Sequence, residues 1–132
     1  MKSQTISVFI AVPARRVYEF AANPLNLPLW APSFFKSVEL VKGEWVVQSP
    51  EGRAVIAFVP ANALGVLDHT VTLPSGLTFT SRMRVIPNGE GSEVLLTLFQ
   101  QEEMSDQQFQ EEAALVLSDL QTLRQTLEAS GG

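Results

Sequence analysis

At 132 residues the chain is read as one domain, 1-132, long enough to bury roughly two-thirds of the surface its unfolded form exposes. It has no cysteine, which excludes disulfides, thiolate catalysis, cysteine-ligated zinc and iron–sulfur clusters. The net charge of −5 is concentrated late, where Glu90, Glu93, Glu102, Glu103, Asp106, Glu111, Glu112, Asp119 and Glu128 face Arg124 alone. Such a surface repels phosphate backbones and anionic headgroups, so no nucleic acid and no polybasic membrane docking is expected. There is no secretory h-region and no apolar run of spanning length, and the expectation is a soluble cytoplasmic protein.

Residues 4 to 12 alternate, with Ile6, Val8, Ile10 and Val12 on one side and Thr5, Ser7, Phe9 and Ala11 on the other. That period of two predicts a strand with its aliphatic side inward. Pro13 sits where the first turn of a helix tolerates it, Ala14 to Ala22 puts Val17, Phe20 and Ala21 on one stripe, and Asn23-Pro24 stops the helix. Pro24, Pro28 and Pro32 then allow at most one short turn before Trp30. From residue 34 the clusters Lys42-Gly43, Ser49-Pro50-Glu51-Gly52, Pro60-Ala61-Asn62, Pro74-Ser75-Gly76 and Pro87-Asn88-Gly89-Glu90-Gly91 punctuate short β-prone runs. Strands are predicted near 34–42, 44–49, 52–59, 65–73, 77–86 and 92–101. Ser105 and Gln108 have capping-box spacing, and Phe109, Ala113, Val116, Leu120, Leu123 and Leu127 form one apolar stripe, predicting a helix over about 105–128. Gly131-Gly132 reads as a frayed end.

The segment Val12-Pro13-Ala14-Arg15-Arg16-Val17-Tyr18-Glu19-Phe20, followed by Asn23-Pro24 and Trp30, resembles the opening of the SRPBCC superfamily. That superfamily includes START and birch-pollen-allergen-like domains and the polyketide cyclase/dehydrase and lipid-transport families. Gly65-Val66-Leu67-Asp68-His69 and Arg82-Met83-Arg84-Val85 also resemble segments of small bacterial members, and the element order matches over the whole chain. The resemblance implies an α+β helix-grip fold, a curved antiparallel sheet of six to seven strands wrapped around a long C-terminal helix, with one or two short helices after the first strand. It also implies an apolar cavity between helix and sheet. A nuclear-transport-factor-like cone, with its helices first and its sheet last, does not fit the late helix. Because one fold carries many activities, function has to come from the site.

Strand parity assigns the faces. Leu67, His69, Val71 and Leu73 share one side against Val66, Asp68, Thr70 and Thr72, so the only histidine falls on the apolar side and Asp68 cannot orient it. Leu77, Phe79, Ser81, Met83 and Val85 are inward, with Arg82 and Arg84 as solvent-side charges. The candidate ligand-binding walls are Trp30, Trp45, Phe58, Leu67, His69, Phe79, Met83, Phe99, Val116 and Leu120. His69 is the only candidate acid or base, with Ser81 as its assistant. One histidine and no cysteine leave no metal site and no cofactor to expect, and no Gly-x-Ser-x-Gly elbow or phosphate-cradling glycine loop is present. Glu102-Glu103 and Glu111-Glu112 have the pattern of exposed loop and helix charge.

The leading expectation is therefore binding or transport of a hydrophobic small molecule: a lipid, isoprenoid, polyketide or aromatic metabolite. A polyketide cyclase, aromatase or dehydratase using the same cavity is the alternative, and a protein-interaction module using the acidic helix is a third.

Overall fold

A computed structural model of the chain describes residues 1–130, and the predicted frayed end at Gly131-Gly132 lies outside the described residues. The elements run β1 (Ser3–Ile10), α1 (Ala14–Ala22), a 3₁₀ turn (Pro24–Asn26), α2 (Leu27–Trp30), β2 (Ser37–Val41), β3 (Glu44–Ser49), β4 (Gly52–Phe58), β5 (His69–Thr72), β6 (Thr78–Asn88), β7 (Gly91–Phe99) and α3 (Asp106–Ala129). The strands form one seven-stranded sheet in the order β1-β7-β6-β5-β4-β3-β2, antiparallel throughout. This is the α+β helix-grip layout: one curved sheet, with the long helix after its last strand.

Local chemistry explains the boundaries. Lys42 and Gly43 both take positive φ (51° and 82°) across the two-residue link between Val41 and Glu44, the backbone of a type I′ hairpin turn. At the start of α3 the Gln108 N–H donates to Ser105 Oγ and the Ser105 N–H donates to Gln108 Oε1, completing the predicted capping box. The stripe Phe109, Ala113, Val116, Leu120, Leu123 and Leu127 is buried along its whole length. It packs chiefly over β1, with further contacts to β7 and α2. There it meets Ile6, Val8 and Ile10, whose strand partners Leu96, Val94 and Ser92 lie beside them.

Two predicted strands are shorter than expected. The run from 34 begins as strand only at Ser37, because the Phe34 and Phe35 N–H groups turn back to the Ala31 carbonyl. The run 65–73 keeps strand geometry only over His69–Thr72. Its first half is tied to β6 by single contacts: the Val85 N–H donates to the Gly65 carbonyl and the Leu67 N–H to the Met83 carbonyl. Among the described residues no helix is long and apolar enough to cross a membrane.

Candidate functional site

The sheet register aligns the inward side chains in cross-strand rows. One row runs Leu40, Trp45, Ile56, Val71, Phe79 across β2 to β6, and the next runs Phe58, His69, Ser81 across β4 to β6. Because α3 sits over β1 and β7, these rows are only partly covered. Ile56 is buried, Trp45, Phe58 and Val71 are half-buried, and Leu40 and Phe79 are exposed. A hollow of about 360 Å³ borders Trp45, Ile56 and Phe58 and is closed on its other side by Ala22 and Pro24 at the end of α1. A second hollow, of about 640 Å³, lies between Pro13, Arg15, Pro87 and Glu90 at the opposite turns. It has no aromatic wall, whereas the smaller hollow is bordered by Trp45 and Phe58.

The predicted walls divide into three groups. Trp45, Phe58, His69 and Phe79 lie on adjoining rows of the inner face, with Phe79 at its open margin, 44% exposed. Trp30, Leu67, Met83, Val116 and Leu120 are buried in the common core and form packing beneath and behind those rows. Phe99 is a correction. It pairs with Ser3, its neighbour Leu98 continues the inward set of Val94 and Leu96, and Phe99 itself is 43% exposed on the opposite parity. The register of β7 is set by its distant partner β1, which the apolar residues on both faces of 92–101 could not reveal.

His69 is held in one tautomeric arrangement. Nδ1 lies 3.0 Å from the Leu67 carbonyl, to which it donates, leaving Nε2 as the acceptor nitrogen of a neutral ring. The ring packs against Phe58 with centroids 4.9 Å apart. Burial drives its pKa below the ordinary 6.5, against the opposing pull of the Leu67 carbonyl and the Asp68 charge.

Asp68 occupies the other face, as parity requires. Its carboxylate accepts from the Met83 N–H at 2.9 Å, from Arg82 at 3.1 Å and from Arg84. Burial pushes this carboxyl up, but those three donors and the Arg84 charge outweigh it and hold the pKa below 3.8. Arg82 and Arg84 are solvent-side as expected, and they also brace β6 against the segment leading into β5.

Sequence reasoning placed Asp119 and Glu112 on a solvated acidic face, and the structure corrects both. Asp119 is buried, accepting at Oδ1 from Ser33 Oγ–H at 2.8 Å and from the Ser33 N–H at 3.4 Å. Glu112 is half-buried. Burial raises the pKa of both carboxyls; the Ser33 donors oppose it at Asp119, and the charge of Glu51 adds to it at Glu112. The available signal was angular, since positions 112 and 119 fall along one edge of the apolar stripe of α3. Among the described residues no cluster of three or more His, Asp or Glu side chains could hold a metal ion.

No protein-family model matches the chain, and no curated protein matches it either. Solved structures do. XoxI from Bacillus cereus superimposes with a TM-score of 0.74 at 21% identity, covering 96% of this chain and 95% of its own. A START superfamily protein from Mycobacterium smegmatis gives 0.67 at 15% identity over 95% and 98% of the two chains. Ara h 8.0201 gives 0.69 at 12% identity over 97% and 98%. The chain therefore shares its fold with these proteins, the helix-grip layout that its sequence implied.

Proposed function

We propose that this helix-grip domain binds or carries a hydrophobic small molecule, a lipid, isoprenoid, polyketide or aromatic metabolite, against the uncovered part of its inner sheet face. One observation carries the reading: the row Leu40, Trp45, Ile56, Val71, Phe79 is apolar from end to end, yet only its middle is buried. Aligned apolar side chains left in water are unfavourable by about 25 cal/mol per Å², and a contiguous patch of this kind is the usual mark of a ligand or partner surface. Trp45, Phe58 and Phe79 are its aromatic contacts, with the hollow beside Ala22 and Pro24 as its deeper end. The cysteine-free composition suits a reducing compartment, and we place the activity in the cytoplasm.

Native mass spectrometry of the purified chain, with organic extraction of the same sample, tests this directly. A copurified apolar compound at close to one per chain supports it; a chain that carries none, and takes none up from an offered lipid and aromatic panel, refutes it.

An enzymatic reading has one observation in its favour, the neutral His69 ring on the inner face opposite Ser81. Its carboxylate neighbour Asp68 is spent on Arg82, Arg84 and Met83 across the sheet, so His69 lacks the orienting acid that a catalytic imidazole uses. If the chain does turn over a bound compound, His69→Ala abolishes turnover and leaves binding intact.

A further inference from the structure

The sheet has two free edges, β1 and β2, and they differ in how they are protected from pairing with another chain. β2 is five residues long, carries Glu39 and is flanked by Lys36 and Lys42, the short, charged character that blunts a strand edge. β1 has eight residues, no charge and no proline, and it runs against β7 through eight consecutive pairs without a bulge. The Gln100 N–H donates to the Lys2 carbonyl at 2.8 Å, and hydrogen-bonded pairs alternate along an antiparallel ladder, so Gln4, Ile6, Val8 and Ile10 direct their backbone groups to β7. Ser3, Thr5, Ser7 and Phe9 direct theirs outward, where the sheet ends. The next residue of that parity, Ala11, bears this out: its N–H donates to Glu128 Oε2 at 2.9 Å.

The helix beside this edge carries a matching seam. Lys2 pairs with Asp106 at the start of α3 and Ala11 meets Glu128 near its end, so α3 runs alongside β1 in the same direction. Asp106, Leu117 and Glu128 recur every eleven residues, about three helical turns, which puts Leu117 on the same side and midway between them, where it is 39% exposed. Arg124, about two turns beyond Leu117, shares that side. A two-fold contact needs a self-complementary surface. Antiparallel self-pairing about Ile6 sets Ser3 opposite Phe9 and Thr5 opposite Ser7, which engages all four outward residues. Each end then gathers Lys2 and Asp106 of one copy with Arg124 and Glu128 of the other, two charges of each sign, whereas parallel pairing would set Glu128 against Glu128. We propose that β1 is a dimerisation edge: a second copy of the chain pairs its β1 antiparallel to this one about a two-fold axis at Ile6, joining the two sheets and bringing Leu117 of each α3 to face the other.

The test is sedimentation velocity of the full chain from about 1 to about 300 μM, with amide hydrogen exchange at the two ends of that range. The expected result is a reversible monomer–dimer equilibrium. The amides of Ser3, Thr5, Ser7 and Phe9 exchange slowly only where the dimer prevails, while those of Gln4, Ile6 and Val8, bonded to β7, are protected throughout. Ser7→Pro removes one outward N–H from each copy and leaves the ladder to β7 untouched, and Leu117→Lys sets two cations at the axis. Each is expected to weaken the dimer at least about tenfold with an unaltered circular dichroism spectrum. A chain that is monomeric at every concentration, a dimer whose concentration-dependent protection falls on β2, or a dimer that both variants leave intact overturns the proposal. Should Ser7→Pro not fold, Leu117→Lys and the wild-type exchange pattern decide.

Discussion

Asp68 and His69 are adjacent in the chain and opposite in environment, and each leaves a distinct pH signature. The folded pKa of Asp68 lies below 3.8, so its contribution is fully present above that value and is lost as pH falls through the folded pKa. Its arginine partners are largely exposed, which limits what the ion pairs contribute. Asp68→Ala is expected to lower stability at pH 7 by about 1–2 kcal/mol, mostly through the Met83 N–H and the arginines it leaves unpaired, as read by urea denaturation. For His69 the sign is the same, in a higher pH window. Its folded pKa lies below 6.5, so the unfolded chain takes up a proton first and stability declines as pH drops below about 6.5, levelling off beneath the folded value. His69→Gln should flatten the denaturation midpoint across that window; an unchanged slope would mean that another group titrates there. Strand parity alone put these two residues on opposite faces. Composition could not separate Asp119 from the exposed acids of α3; only its angle beside the apolar stripe does.

At the scale of elements, the segment leading into β5 is the most exacting. Asn62 organises it, accepting from the Leu64 and Val66 N–H groups and donating to the Pro60 and Val66 carbonyls. Gly65 then takes φ of 75°, with the Val85 carbonyl oxygen 2.1 Å from where a Cβ would stand. Gly65→Ala is therefore expected to destabilise by about 2–4 kcal/mol, displacing the approach to Asp68 and His69 as well, a loss that thermal unfolding and the His69 ring resonances would register. A small change in melting temperature would contradict this. On α3, Leu120→Asp should cost several kcal/mol, on the order of 3–5, because it places an unpaired charge in the core beside Asp119; a stable, fully helical variant would mean the helix does not close the core. The helix and the turn-bounded strands were legible because capping, stripe and turn chemistry are local. The trimming of β5 and the facing of Phe99 were not, since they depend on which distant strand supplies the hydrogen bonds.

For the whole molecule, the asymmetry of the grip is what matters. The helix lies over β1 and β7, where it seals Ile6, Val8 and Ile10 with Val94 and Leu96, and it leaves the rows of β3 to β6 partly open. Element order made the fold legible from the sequence. How far the helix covers the sheet is a matter of crossing geometry, which is why the predicted walls separated into an aromatic margin and a sealed core. This uncovered inner face is where we propose that an apolar molecule binds. The most direct measurement is a titration of the methyl-labelled chain with the neutral dye N-phenyl-1-naphthylamine, followed by methyl NMR. Saturable one-to-one binding is expected, with shifts concentrated at Ile56, Val71 and Val47 on the inner face and little change at Val46 and Leu95 on the outer one. Absence of saturable binding, or shifts led by the outer set, would contradict it.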